Sequence, residues 1–212
     1  MGFEDRSTAP VMNRRAIITL DFPGTVPAVC RLEPVDAAPE SRFVVRRDLA
    51  PAQAGVPMML RVRVLDAVDR PLPGAVLEIS HRAPGASDPA LHGAQVTDPH
   101  GYAEFKTVFP GWEPDVPAGI DVTLHLAGSR DTGRLHFPAQ VTSQVAGLPA
   151  YRGNPAPPSP TSAGVPHVLP PPAAGIPHVV PPTPAGIAHV VPRDRYDLTA
   201  GLLVTISAVT EH

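Results

Sequence analysis

Three side chains near the middle of the chain have types and spacing that could move protons. Glu113 follows a Pro110-Gly111-Trp112 corner, and Asp121 and His125 come a few residues later. From Ile120 to Leu126 the apolar residues Ile120, Val122, Leu124 and Leu126 alternate with Asp121, Thr123 and His125. Strict alternation marks a half-buried strand, so Asp121 and His125 are expected on one face and the apolar set on the other. Two carboxylates sharing an enclosed cavity titrate apart, one kept protonated and one ionised, which is the arrangement that acid and base roles need. Either Glu113 or Asp121 would be the base and the other the acid, with His125 as a relay. The chemistry would be isomerisation, cyclisation, dehydration or ring opening of a small organic substrate, without metal or oxygen. The competing reading is plain solvated surface, which is where carboxylates of loops and strand starts usually lie.

A second set of residues raises metal binding. His167, His178 and His189 recur at one phase of an eleven-residue unit, AGVPHVLPPPA, AGIPHVVPPTP and AGIAHVVPRDR, and Gly164, Gly175 and Gly186 recur at another. Extended as polyproline II at about 3.1 Å per residue, successive histidines would stand roughly 34 Å apart and could not share an ion. Zinc or copper would need the chain to fold back at each glycine, or three subunits to give one His each. The alternatives are a duplicated low-complexity loop with solvated histidines, or a segment whose Val-Leu and Val-Val pairs pack on a partner subunit.

The elements that must position these residues are strands. Leu60, Val62 and Val64 alternate with Arg61 and Arg63, a Pro- and Gly-bearing turn follows at 69–74, and 75–80 reads as the next strand. Residues 43–46 suggest an edge strand, 139–148 a short helix or irregular connection, and 202–209 a last strand. Convincing helical periodicity is absent, so the fold class is all-β, a small antiparallel sandwich with a long Pro-rich insertion. Thirteen of the 30 prolines fall within 155–192, where proline removes the donors a sheet needs.

The runs PMMLRVRVLDAVDRPLPGAVLEISH (57–81), GAQVTDPHGYAEFKTVFPGW (93–112) and GRLHFP (133–138), with CRLEP (30–34) ahead of them, resemble the core of the intradiol ring-cleavage dioxygenases. These are non-haem iron(III) enzymes that open catechols between the two hydroxyls, on a sandwich shared with prealbumin-like modules. The resemblance implies that the iron-holding positions fall on Ala86 or Ser87, Glu113, Gly119 and Asp121, and that a substrate-binding Arg falls on Val116. Those residues, with Trp112, would line the old pocket. Glycine offers no donor, and ferric iron calls for phenolate and imidazole, so a metal-free scaffold without a cofactor is expected.

Composition narrows the partners. A net charge of −3 and a pI near 6.3 give no reason to expect nucleic acid or a membrane surface, and no transmembrane run is present. Cys30 is the single cysteine, so an intrachain disulfide is impossible, and a half-buried small side chain in the lead-in, not a reactive nucleophile, is expected there. Residues 13–20 are similar to the opening of a twin-arginine export signal, but Asp21 and Pro23 interrupt the apolar stretch, and a cytoplasmic location is expected. His81 and His92 are expected as surface or turn residues.

The domain reading is an N-terminal arm and lead-in (1–42), a sandwich core (43–150), the Pro/His-rich insertion (151–195) and a closing C-terminal strand (196–212). Two functions remain open. One is a metal-independent enzyme working by acid–base chemistry on a small organic substrate, in specialised metabolism. The other is a non-catalytic binding or structural subunit related to iron-lacking dioxygenase chains. A homo-oligomer built through the N-terminal arm or the repeats is expected.

Overall fold

The computed structural model describes residues 28–35, 44–50, 55–85, 90–114, 116–126, 128–156 and 186–211. Among the described residues ten strands form two five-stranded sheets. They are β1 (Val29–Arg31), β2 (Glu33–Pro34), β3 (Pro57–Leu65), β4 (Val76–Arg82), β5 (Ala90–Val96), β6 (Tyr102–Val108), β7 (Gly119–Leu126), β8 (Ser129–His136), β9 (His189–Pro192) and β10 (Leu202–Val209), with a helix α1 (Ala139–Ala146) after β8. One sheet runs β1-β10-β3-β6, with β9 also on β10; the other runs β2-β8-β7-β4-β5.

Period-two sequence explains the layers. In β3 the residues Met58, Leu60, Val62 and Val64 are buried while Arg61 and Arg63 are only partly so; in β4 the buried set is Leu77, Ile79 and His81. These inner faces, joined by Phe105, Ile120, Val122, Leu124, Leu135, Val204 and Ile206, make one apolar core between the sheets. Phe109, Phe137, Trp112 and Tyr151 close one end of it, Phe109 and Phe137 with ring centres 4.6 Å apart and Trp112 stacked on Tyr151 at 5.8 Å. The Tyr151 hydroxyl accepts from the Val56 N–H at 3.0 Å and donates to the Phe109 carbonyl at 2.8 Å. Burial pushes this phenol well above its usual range, against the lowering effect of the Val56 bond.

Four sequence expectations change. The sandwich is not wholly antiparallel: β10 pairs in parallel with both β3 and β1, because the C-terminal strand enters the sheet from the same end as they do. Tyr151, placed by sequence in the insertion, belongs to the core. The third eleven-residue unit does join a sheet. His136 N–H donates to the Gly186 carbonyl, Ala188 N–H donates to the His136 carbonyl, and β9 pairs antiparallel with β10 from Thr205↔His189 to Leu202↔Pro192. The first two units have Pro166 and Pro177 where the third has Ala188, and a proline cannot make that second bond. They lie outside the described residues. The expected edge strand at 43–46 is reduced to an isolated bridge, Val45↔Ala94.

Candidate functional site

Three adjacent strands set out the candidate site in one row. Ser80 on β4, Asp121 on β7 and Arg134 on β8 are register partners. All three sit at partly or fully exposed positions that alternate with buried Ile79, Ile120 and Leu135, so they share the outer face of the sheet. The 111–116 corner folds back onto this face: Gly111 N–H donates to the Arg82 carbonyl at 3.0 Å, and Glu113 bridges Val116. Between corner and sheet lies a cleft of about 250 Å³ whose walls include Ser80, His81, Arg82, Trp112, Glu113, Val116, Gly119, Asp121 and Arg134.

Its charges are paired. Arg82 forms an ion pair with Glu113, and Arg134 Nη1 donates to Asp121 Oδ1 at 2.6 Å. A Cβ at Gly119 would stand 2.8 Å from Arg134 Nε and 2.8 Å from the Leu135 carbonyl oxygen. The missing side chain at 119 is therefore what lets the guanidinium lie across the strand and reach Asp121. The carboxylates are open to water, Glu113 being 51% and Asp121 60% exposed. They share a cleft, but not the enclosed cavity that the sequence argument required.

Two histidines border this cluster. His81 is 3% exposed, which corrects the expectation of a surface or turn residue. Its Nδ1 lies 3.0 Å from the Arg82 carbonyl, and its Nε2 lies 2.6 Å from Thr107 Oγ1 across the sandwich. A carbonyl only accepts, so Nδ1 carries the proton, and in the neutral ring Nε2 accepts from the threonine hydroxyl. Burial pushes the His81 pKa down, opposed by the Arg82 carbonyl and by the charge of Asp121. His136, half-buried opposite Gly119, is also pushed down, first by burial and then by Arg134, with Asp121 again opposing. Asp121 thus acts electrostatically on both rings.

Comparison with solved structures identifies the architecture. The fold is that of the intradiol ring-cleavage dioxygenases. An intradiol ring-cleavage dioxygenase from Tetranychus urticae superposes with a TM-score of 0.60 at 15% identity, over 85% of this chain and 94% of that one. The dioxygenase domain of a dioxygenase–carbohydrate-binding protein fusion from Streptomyces sp. SirexAA-E gives 0.53 at 20% identity, over 84% and 96%. No protein-family model and no curated sequence matches the chain.

On this dioxygenase fold the sequence-derived site residues separate into three groups. Trp112, Glu113, Val116, Gly119 and Asp121 meet at the one cleft. His125 shares the Asp121 face but is absent from the cleft wall; it stands about 13 Å further along β7 and pairs with Glu78 at 3.1 Å. Ser87, His167 and His178 lie outside the described residues, and His189 is an exposed β9 residue facing Thr205. Arg82, Arg134, His81 and His136 were not singled out from sequence as site residues. The alternation of Arg134 and His136 in GRLHFP was the available signal for a shared face. Among the described residues, no three His, Cys, Asp or Glu side chains gather as a metal-binding group. No helix among them is long and apolar enough to cross a membrane.

Proposed function

We propose that this chain is a small-molecule-binding member of the dioxygenase fold whose cleft works without iron. The observation that carries the reading is Arg134. Its guanidinium occupies the space left by Gly119 and is spent on Asp121, so a fixed positive charge stands between two of the positions where the family resemblance puts iron ligands. A cation there disfavours a ferric ion by direct repulsion, and of the other two such positions Glu113 is already taken by Arg82. Ser80, two carboxylate–guanidinium pairs and the wall of Trp112 and Val116 suit an organic ligand that carries both hydrogen-bonding oxygens and an apolar body.

Trp112 is the only tryptophan, so it reports on the cleft directly. Titration with small aromatic acids and diols should change Trp112 fluorescence saturably in the wild type and not in Arg134→Gln. Metal analysis of the purified chain should find iron well below stoichiometric. Stoichiometric iron, or a panel of such ligands that leaves the fluorescence unchanged, refutes the proposal.

Acid–base catalysis is the second reading, and one observation favours it: Glu113 and Asp121 line the same cleft as His81. An organic acid that binds and is also turned over, with turnover lost in Asp121→Asn and Glu113→Gln while binding persists, would make the chain an enzyme. Binding without turnover leaves it a binding or structural subunit, and co-purification with an iron-bearing relative would identify its assembly.

A further inference from the structure

A second cleft lies on the other sheet, where β3, β6 and β10 run side by side. It holds about 340 Å³, and its walls include Asp48, Pro57, Met59, Lys106, Arg193 and Leu202. That volume falls in the range of small-molecule sites, about 300–1,000 Å³. The backbone delivers two cations to it. Lys106 N–H donates to the Arg47 carbonyl at 2.8 Å and the Lys106 carbonyl accepts from the Leu49 N–H at 2.9 Å, so residues 47–49 strap the edge of β6 at this point. Arg193 N–H donates to the Gly201 carbonyl at 2.8 Å. Gly201 has φ +109°, and a Cβ on it would stand 3.0 Å from the Pro57 carbonyl oxygen and 3.5 Å from Arg193 Cδ. Glycine there lets the loop before β10 lie against the start of β3, which keeps the stem of Arg193 close to Pro57.

We propose that this cleft binds a small organic monocarboxylate with an apolar body. Among the described residues neither Lys106 nor Arg193 is ion-paired, whereas Arg47, Arg61, Arg70, Arg82 and Arg134 all have carboxylate partners. Thr107, also in the wall, adds no donor, because its hydroxyl is engaged with His81 Nε2. The unmet demand of the cleft is therefore for an acceptor that carries negative charge, and a carboxylate answers both cations with charge-assisted hydrogen bonds. Asp48 sets a limit from the same wall: its own negative charge disfavours a second one on the ligand. Pro57, Leu202 and Met59, the register partner of Lys106, place apolar surface beside the charges. A thioether adapts to bodies of different shape, so the carboxylate and not the outline of the ligand is what the cleft selects. The two clefts share no wall residue, and this proposal does not rest on the function given to the first.

Competition with lysine acetylation tests it. Lys106 is the only lysine, so under an N-hydroxysuccinimide ester of acetic acid the N-terminal amine is the internal reference. At constant ionic strength, benzoate or hexanoate should slow acetylation of Lys106 saturably, read by peptide mass spectrometry, with the N-terminal rate unchanged. Benzamide has the body of benzoate without its charge and should give no protection. Arg193→Gln should raise the apparent Kd by about five- to tenfold, the loss of one charge-assisted hydrogen bond in contact with water. Arg134→Gln alters only the first cleft and should leave the protection as it is. Circular dichroism and thermal melting confirm that both variants are folded. The proposal is overturned if neither acid protects Lys106, if benzamide protects it equally, if folded Arg193→Gln binds like the wild type, or if Arg134→Gln abolishes the protection.

Discussion

The two faces of the β4-β7-β8 layer obey different rules, although the same strands supply both. Inward, Leu77, Ile79, Ile120, Val122, Leu124 and Leu135 are at most 1% exposed, and the buried polar side chains there are engaged, His81 through both ring nitrogens and Asp131 by accepting from the Thr210 hydroxyl. Outward, Ser80, Asp121 and Arg134 form a row of polar groups in contact with water, together with Arg82. Stability resides in the first face, because buried apolar area and satisfied polar atoms set it. The second face is free to change its chemistry. That division explains how residues such as Gly119 and Glu113 can stand where the resemblance expects metal ligands while the fold still superposes at 15–20% identity.

The sharpest way to break this contrast is to move atoms on the inner face. Leu124→Ala should cost about 2–5 kcal/mol, the range for a truncated core leucine, read as a fall in the urea midpoint at unchanged slope. A loss below 1 kcal/mol would mean that the layer is not packed as described. Tyr151→Phe keeps the ring against Phe109 and Trp112 but strands the Val56 N–H and the Phe109 carbonyl, so about 1–3 kcal/mol should be lost.

His81 sharpens the contrast, because it is a titratable group on the stabilising face. Its folded pKa is pushed below the ordinary histidine value, as is that of His136. The unfolded chain therefore binds more protons than the folded one as pH falls below about 6.5. Stability should be full above that pH and decline beneath it, by at most about 1.4 kcal/mol per pH unit for each ring. Urea midpoints at pH 7.5 and 5.5 measure the decline, and His81→Gln should flatten it. An unchanged slope in that variant would assign the effect elsewhere.

How much of this was legible beforehand depends on the range of the interactions. The strands β3, β4 and β7 could be read from alternation, since period two is a local property of sequence. The cleft could be placed through the Pro-Gly-Trp corner and Asp121. Arg134 could not, because its importance rests on an empty Cβ position on the neighbouring strand, a relation that exists only once β7 and β8 are in register. His81 was misjudged for the same reason: its partner, Thr107, lies in the opposite sheet. The third eleven-residue unit was grouped with its Pro-rich copies, although the exchange of proline for Ala188 is visible in the sequence. Its meaning appears only when the His136 carbonyl is seen opposite the Ala188 N–H.

The smallest expected effect on folding belongs to the outer face. Asp121 and Arg134 form a short ion pair, but one partner is 60% and the other 37% exposed, so water and salt screen it. Exposed pairs of this kind contribute about 0–1 kcal/mol. In a double-mutant cycle of Asp121→Asn and Arg134→Gln, the coupling energy in urea unfolding should therefore stay below about 1 kcal/mol and shrink further at high salt. The same two substitutions should disturb the cleft far more than the fold, because Arg134 both fills the Gly119 space and fixes the Asp121 carboxylate. A coupling above about 2 kcal/mol would place structural weight on the outer face and erase the distinction between the two sides of the layer.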